Sequence, residues 1–154
     1  MSTTTDEHPA FDQQVQQGDE QRVDAAIGSF VREFGVTTAL HLESCVHCGL
    51  CADACHFYLS TGDAKYTPAH KLEPLRRAYL REASPFAPLV RALGLAKKPS
   101  IADLQAWQEL IYDSCNMCGR CTLVCPMGID IAELVKEARH GMWKAGLVPE
   151  RLAL

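Results

Sequence analysis

Eight cysteines stand among the 154 residues, and all of them fall into two copies of one eleven-residue run. Cys45, Cys48, Cys51 and Cys55 form the first; Cys115, Cys118, Cys121 and Cys125 form the second. Each reads C-x-x-C-x-x-C-x-x-x-C, and corresponding cysteines lie 70 residues apart. The copies share more than their thiols. An acidic residue and a serine precede each (Glu43-Ser44 and Asp113-Ser114), and a glycine, Gly49 or Gly119, follows each second cysteine. Residues Met1 to Glu7 are polar, with no basic n-region leading into an apolar stretch, so no export signal is expected. A cytoplasmic, reducing compartment is therefore expected, where thiols serve metals or redox chemistry rather than structural disulfides.

The spacing selects among metals. Three thiolates at intervals of three wrap a tight loop around one cubane, each reaching a different iron. The fourth, one helical turn further on, points away from that loop and reaches a second cluster, as in other two-cluster runs of this form. On that pattern Cys45, Cys48, Cys51 and Cys125 hold one [4Fe–4S] cluster, and Cys115, Cys118, Cys121 and Cys55 hold the other. Cross-ligation of this kind couples folding to metal binding. The missing side chains of Gly49 and Gly119 let backbone amides approach the cluster sulfurs. Zinc is the competing reading, a zinc-stabilised interaction module. It uses C-x-x-C pairs but has no need of a third close cysteine and a fourth three residues beyond, twice over. A [3Fe–4S] centre in place of one cubane stays open, although no cysteine is missing.

The elements that must position these runs read as helices. Val23, Ala26, Ile27, Phe30, Val31 and Phe34 recur at helical spacing, with Gly35 as a stop. A short helix over 36–44 then delivers the chain to Cys45. Thr67-Pro68 is an N-cap with proline at the first helical position, and Leu72, Leu75 and Tyr79 form the buried face of the helix it opens. Pro74 must kink that helix or mark a restart. Pro85, Pro88, Gly94 and Pro99 break up 84–99, leaving one short turn over 89–93. Ser100 caps a helix expected over 101–112, with Ile101, Leu104, Trp107 and Ile111 on one side. The last helix starts at Asp130 through a capping box with Glu133, aligns Ile131, Leu134, Val135, Ala138, Met142 and Ala145, and stops at Gly146. Period-two strand patterns are absent. The fold class is all-α, with a mobile polar tail over 1–22 and a single domain over 23–154.

Charge and composition exclude further classes. Apolar residues make up 47% and no stretch reaches the length of a membrane span. A net charge of −4 argues against whole-surface nucleic-acid binding. The distribution is uneven: residues 1–44 carry eight acids against two bases, and residues 65–98 eight bases against two acids. Two clusters with four thiolates each would add about −4 in total. Lys71, Arg76, Arg77 and Arg81 are expected to compensate that charge or to dock an acidic partner. The apolar and basic residues of 84–98 are candidates for contact with a membrane subunit or lipid surface. No Ser/His/Asp or Cys/His nucleophile set and no phosphate-cradling glycine loop is present, which points to a non-catalytic electron-transfer subunit.

From about Ala39 to Trp143 the sequence resembles the α-helical ferredoxin-like domains of respiratory iron–sulfur subunits. The marks are the two cysteine runs, the helical segment from Tyr66-Thr67-Pro68-Ala69 to Arg77, and Cys125-Pro126-Met127-Gly128-Ile129-Asp130-Ile131 opening the final helix. The 59 residues between the runs exceed what small βαβ-type ferredoxins use. Among these domains it is most similar to heterodisulfide reductase C-like proteins. The resemblance implies single-electron relay through two [4Fe–4S] clusters in a sulfur- or thiol-redox complex. It also implies a separate cysteine-rich, heterodisulfide reductase B-like partner, a flavoprotein, or both, and attachment to the inner face of the membrane through a partner. The alternative within the resemblance is the iron–sulfur subunit of a flavin dehydrogenase feeding the quinone pool. One departure stands out: the first run ends Cys55-His56, where the family places proline, whereas the second keeps Cys125-Pro126. His56 either donates toward a cluster sulfur or fills a tolerant packing position. His47 carries the same ambiguity, and Met117, its counterpart, reads as a packing residue.

Overall fold

A computed structural model of the chain describes residues 18–95 and 97–152. Most of the expected tail, residues 1–17, lies outside the described residues. Among the described residues every regular element is helical: α1 (Asp19–Glu33), α2 (Val36–Ser44), α3 (His56–Thr61), α4 (Pro68–Lys71), α5 (Glu73–Glu82), α6 (Ala87–Ala92), α7 (Ile101–Gln108), α8 (Arg120–Leu123) and α9 (Ile131–Lys144), with short 3-10 turns at Ala64–Tyr66 and Glu150–Leu152. The all-α expectation holds.

The core forms where amphipathic stripes meet. α1 turns Val23, Ala26, Ile27 and Phe30 inward and packs along α9, whose Leu134, Val135, Ala138 and Met142 face it. Each of the larger side chains (Val, Ile, Leu, Phe and Met) contributes about 1.5–3 kcal/mol on removal from water. Trp107 of α7 is 1% exposed and meets the edge of Phe30 with ring centroids 5.7 Å apart. Phe34 and Tyr79 make a second edge-to-face pair at 5.6 Å. The two long helices approach so closely at Gly141 that no Cβ fits against the Phe30 ring.

Several local expectations need correction. α1 starts at Asp19 rather than Val23, and Arg22 in its first turn is tied to the far end of the fold. Its Nε donates to Ala145 O at 3.4 Å and its Nη2 to Gly146 O at 2.9 Å. Pro74 meets the second of its two expectations, a restart rather than a kink: α4 ends at Lys71 and α5 begins at Glu73. The helix expected over 101–112 is α-helical only to Gln108, and Glu109–Asp113 widens into a π-helical turn. Ser114 closes that turn, its Oγ donating to Leu110 O at 2.9 Å, so the extra residue is absorbed immediately before Cys115. At α9 the capping box is one-sided. Asp130 accepts from Glu133 N at 3.1 Å, but the Glu133 carboxylate is drawn to Lys136 Nζ, 3.0 Å away. The reciprocal box occurs at α7 instead, between Ser100 and Asp103. Those bonds hold the Asp103 carboxyl below its ordinary range.

Candidate metal centres

All eight cysteines are free thiols. The fold gathers them into two sets of four around two cavities. Cys45, Cys48, Cys51 and Cys125 line the first. Cys55, Cys115, Cys118 and Cys121 line the second. Each set takes three thiols from one run and the fourth from the other.

Local backbone geometry explains the division. α2 ends at Ser44 and releases Cys45 in extended conformation. His47 (φ 52°) and Met117 (φ 51°) are left-handed despite carrying side chains, and Gly49 (φ 84°) and Gly119 (φ 73°) follow in the same region. Alternation of this kind aims successive N–H groups into one concavity, a cradle for an anionic group. The chain then turns helically, through Ala52 N to Gly49 O at 2.8 Å in the first run and α8 in the second. That turn swings Cys55 and Cys125 away from their own loops and toward the opposite cavity.

The walls are pinned by side chains that spacing does not reveal. Arg139 of α9 donates from Nε to Ile111 O at 2.8 Å and from Nη2 to Cys115 O at 2.5 Å, holding the π turn and the second run together. Tyr112 returns a bond to Arg139 O at 2.8 Å. Thr122 Oγ1 lies 3.3 Å from Asp130 Oδ1 and accepts from Ala132 N at 3.2 Å, fixing the Cys125 loop to the start of α9. Nothing in the periodicity of α9 marks Arg139, since it sits beside the buried stripe rather than on it.

His56 lines the second cavity, with Nε2 3.3 Å from Asn116 Nδ2 and its ring 4.7 Å from that of Phe57. His47 lines the first, 4.0 Å from Glu73 Oε2. Met117 packs against the core, as expected of it. Burial pushes the Cys51 thiol up, and it pushes Cys121 up to about 11. Loading either set with metal therefore displaces protons.

The donor chemistry fits a polyatomic iron–sulfur group better than a single ion. Zinc requires four sulfurs within about 2.3 Å of one point. Among the described residues no three His, Cys, Asp or Glu side chains converge in that manner. The thiols instead rim two largely apolar cavities. In the first, the Nε of Arg76 is buried without a hydrogen-bond partner, an orphaned donor suited to an anion.

Residues 41–129 match the family described as the 4Fe-4S dicluster domain. The chain belongs to this dicluster family. Its cofactors are two [4Fe–4S] clusters. Over 110 residues it is 38% identical to the Hdr-like menaquinol oxidoreductase iron-sulfur subunit 2 of Archaeoglobus fulgidus, covering 70% of this chain and 19% of that protein. The D subunit of the dihydromethanophenazine:CoB--CoM heterodisulfide reductase of Methanosarcina barkeri is 26% identical over 71% of this chain and 26% of its own length. The EtfAB:quinone oxidoreductase of Syntrophomonas wolfei is 26% identical over 78% of this chain and 19% of its own. The dicluster protein thus matches between about a fifth and a quarter of each of these longer relatives. No solved structure matches it significantly.

Proposed function

We propose that this dicluster protein is the electron-relay module of a heterodisulfide reductase-like complex. In this reading Cys45, Cys48, Cys51 and Cys125 ligate one cluster, and Cys115, Cys118, Cys121 and Cys55 the other. What carries it is the two thiol quartets, each completed by the fourth cysteine of the opposite run. When bound, each cluster supplies a one-electron couple. The protein's own work is to hold the two sites on one rigid core, to exclude water from part of each, and to aim backbone amides at the sulfurs. Names of relatives support a thiol- or quinone-linked setting. The partners that would complete it are a cysteine-rich B-like subunit, a flavoprotein, or both. No helix among the described residues is long and apolar enough to cross a membrane. The exposed Phe86, Leu89, Leu93 and Leu95 around α6 support a peripheral contact with a membrane subunit.

A second reading, delivery of electrons from a flavin to a quinone, is favoured by the likeness to EtfAB:quinone oxidoreductase. Anaerobic co-purification separates the two. A cysteine-rich partner, with or without a flavoprotein, supports the first, and a flavoprotein with a membrane anchor and no cysteine-rich partner supports the second.

The ligand sets have their own test. Anaerobically purified protein should contain about eight irons. Cys45→Ala and Cys125→Ala should each lose about half and leave the same residual EPR spectrum; Cys115→Ala and Cys55→Ala should leave the other. If Cys125→Ala instead matched Cys115→Ala, each run would hold its own cluster and the crossed assignment would be wrong. Colourless protein containing zinc and no iron would refute electron relay altogether.

A further inference from the structure

The four cations of α4 and α5, half of those in the central basic segment, divide by their partners. Two are paired with carboxylates: Arg77 Nε lies 3.0 Å from Glu73 Oε1, and Arg81 Nε lies 2.9 Å from Glu82 Oε1. The other two turn inward, and neither has a carboxylate partner among the described residues. Lys71 is 2% exposed and lines the second cavity. Its Nζ donates to the carbonyl of Ser114, approaches Cys55 Sγ at 3.8 Å, and stands 5.2 Å from the Phe57 ring centroid. Arg76 lines the first cavity, with its Nε buried and unpartnered.

A cation removed from water without a counter-ion is strongly unfavourable, and so is a guanidinium N–H with no acceptor. Two such groups therefore point to negative charge in the spaces they face. The α4–α5 segment is the wall between the cavities. Ala69, Leu72 and Arg76 front the first, and Pro68 and Lys71 front the second. Trp107 Nε1 anchors this wall by donating to Lys71 O at 2.6 Å.

We propose that Lys71 and Arg76 are dedicated counter-charges, one for each cluster, and that each sets the reduction potential of its own cluster independently. The proposal rests on the two-quartet reading above. Reduction adds one electron and no atoms to a cluster that is already anionic. A nearby fixed positive charge favours the more negative, reduced form and so raises the potential. Lys71 has a second, positioning role. It bridges Cys55 of the first run to the residue before Cys115 of the second, so it holds two thiols of one quartet in register.

EPR-monitored redox titration of the anaerobically purified full chain tests this. Lys71→Met should lower one midpoint and leave the other in place, and Arg76→Met should lower the other. The expected change is about tenfold in the reduction equilibrium, about 59 mV for a one-electron couple. Lys71→Arg and Arg76→Lys, which keep the charge, should stay close to wild type. Lys136→Met, an exposed lysine on α9 paired with Glu133, should move neither. Both midpoints moving together, or neither moving in protein with full iron content, would overturn the proposal while leaving the ligand sets standing. If Lys71→Met loses half its iron, Lys71→Arg decides: restored iron at the wild-type potential supports the charge role, and continued loss overturns it. Wild-type protein with fewer than two clusters would overturn the ligand reading and this proposal with it.

Discussion

Gly141→Ala tests whether the α1–α9 seam, on which both sites depend, is as close-packed as the structure requires. A Cβ at 141 would lie 2.1 Å from Phe30 Cε1 and 2.3 Å from Cδ1. Ordinary carbon–carbon contact is about 3.5–4.0 Å, so the ring or the helix must retreat by roughly 1.5 Å. The ring has little freedom, because Phe30 is 2% exposed and its edge is held against Trp107. Overpacking of this severity costs about 3 kcal/mol or slightly more. Replacing glycine by alanine within a helix returns about 1 kcal/mol. The net is a destabilisation of about 2 kcal/mol, which for a chain of this length lowers the unfolding midpoint by about 4–8 °C. The assay is anaerobic thermal unfolding followed by far-UV ellipticity and by loss of cluster absorbance. Phe30→Leu in the Gly141→Ala background should recover most of the loss, with a coupling of about 1 kcal/mol or more. A Gly141→Ala variant as stable as wild type or better would show that the seam is loose and the reasoning wrong.

The tyrosine at the π turn carries a pH signature. Burial pushes Tyr112 up to about 12, only partly offset by the neighbouring Arg139. The folded state thus keeps a proton that the unfolded chain releases near pH 10. The stability linked to it is whole below pH 10 and declines as pH rises toward 12. Tyr112→Phe should flatten that alkaline slope in unfolding measured from pH 9 to 12, burial of Tyr79 keeping a remainder, and an unchanged slope would count against it. At the loops, Gly119 has φ 73° and open space beyond its Cα, so Gly119→Val should cost about 1–2 kcal/mol from backbone conformation alone. Met117→Gly, at φ 51°, should relieve strain and keep about eight irons per chain; iron content and unfolding midpoint check both variants.

Much of this was legible in the chain itself. The spacing of the eight cysteines pointed to the chemistry, because three thiolates at intervals of three suit the corners of a cubane better than a single ion. Helical periodicity identified the buried stripes of α1, α5, α7 and α9, since a stripe of apolar residues has few ways to leave water. Thr67-Pro68, Pro74 and Gly146 were readable as boundaries because caps, missing amides and left-handed stops act within a few residues. Only the tertiary structure decided the rest. The crossed placement of Cys55 and Cys125, already expected from the form of the runs, takes its geometry from the turns after Gly49 and Gly119 and the seating of α9. The π turn before Cys115 arises from the Ser114 and Arg139 bonds, a long-range constraint that overrides helical propensity. The four cations of α4 and α5 look alike in sequence. Where α4 breaks and α5 restarts determines that Lys71 and Arg76 turn toward the thiols while Arg77 and Arg81 pair with carboxylates of α5. Local residue types supply ligands and stripes, but the direction of a charge depends on how helices pack, and that is set by contacts distant in the chain.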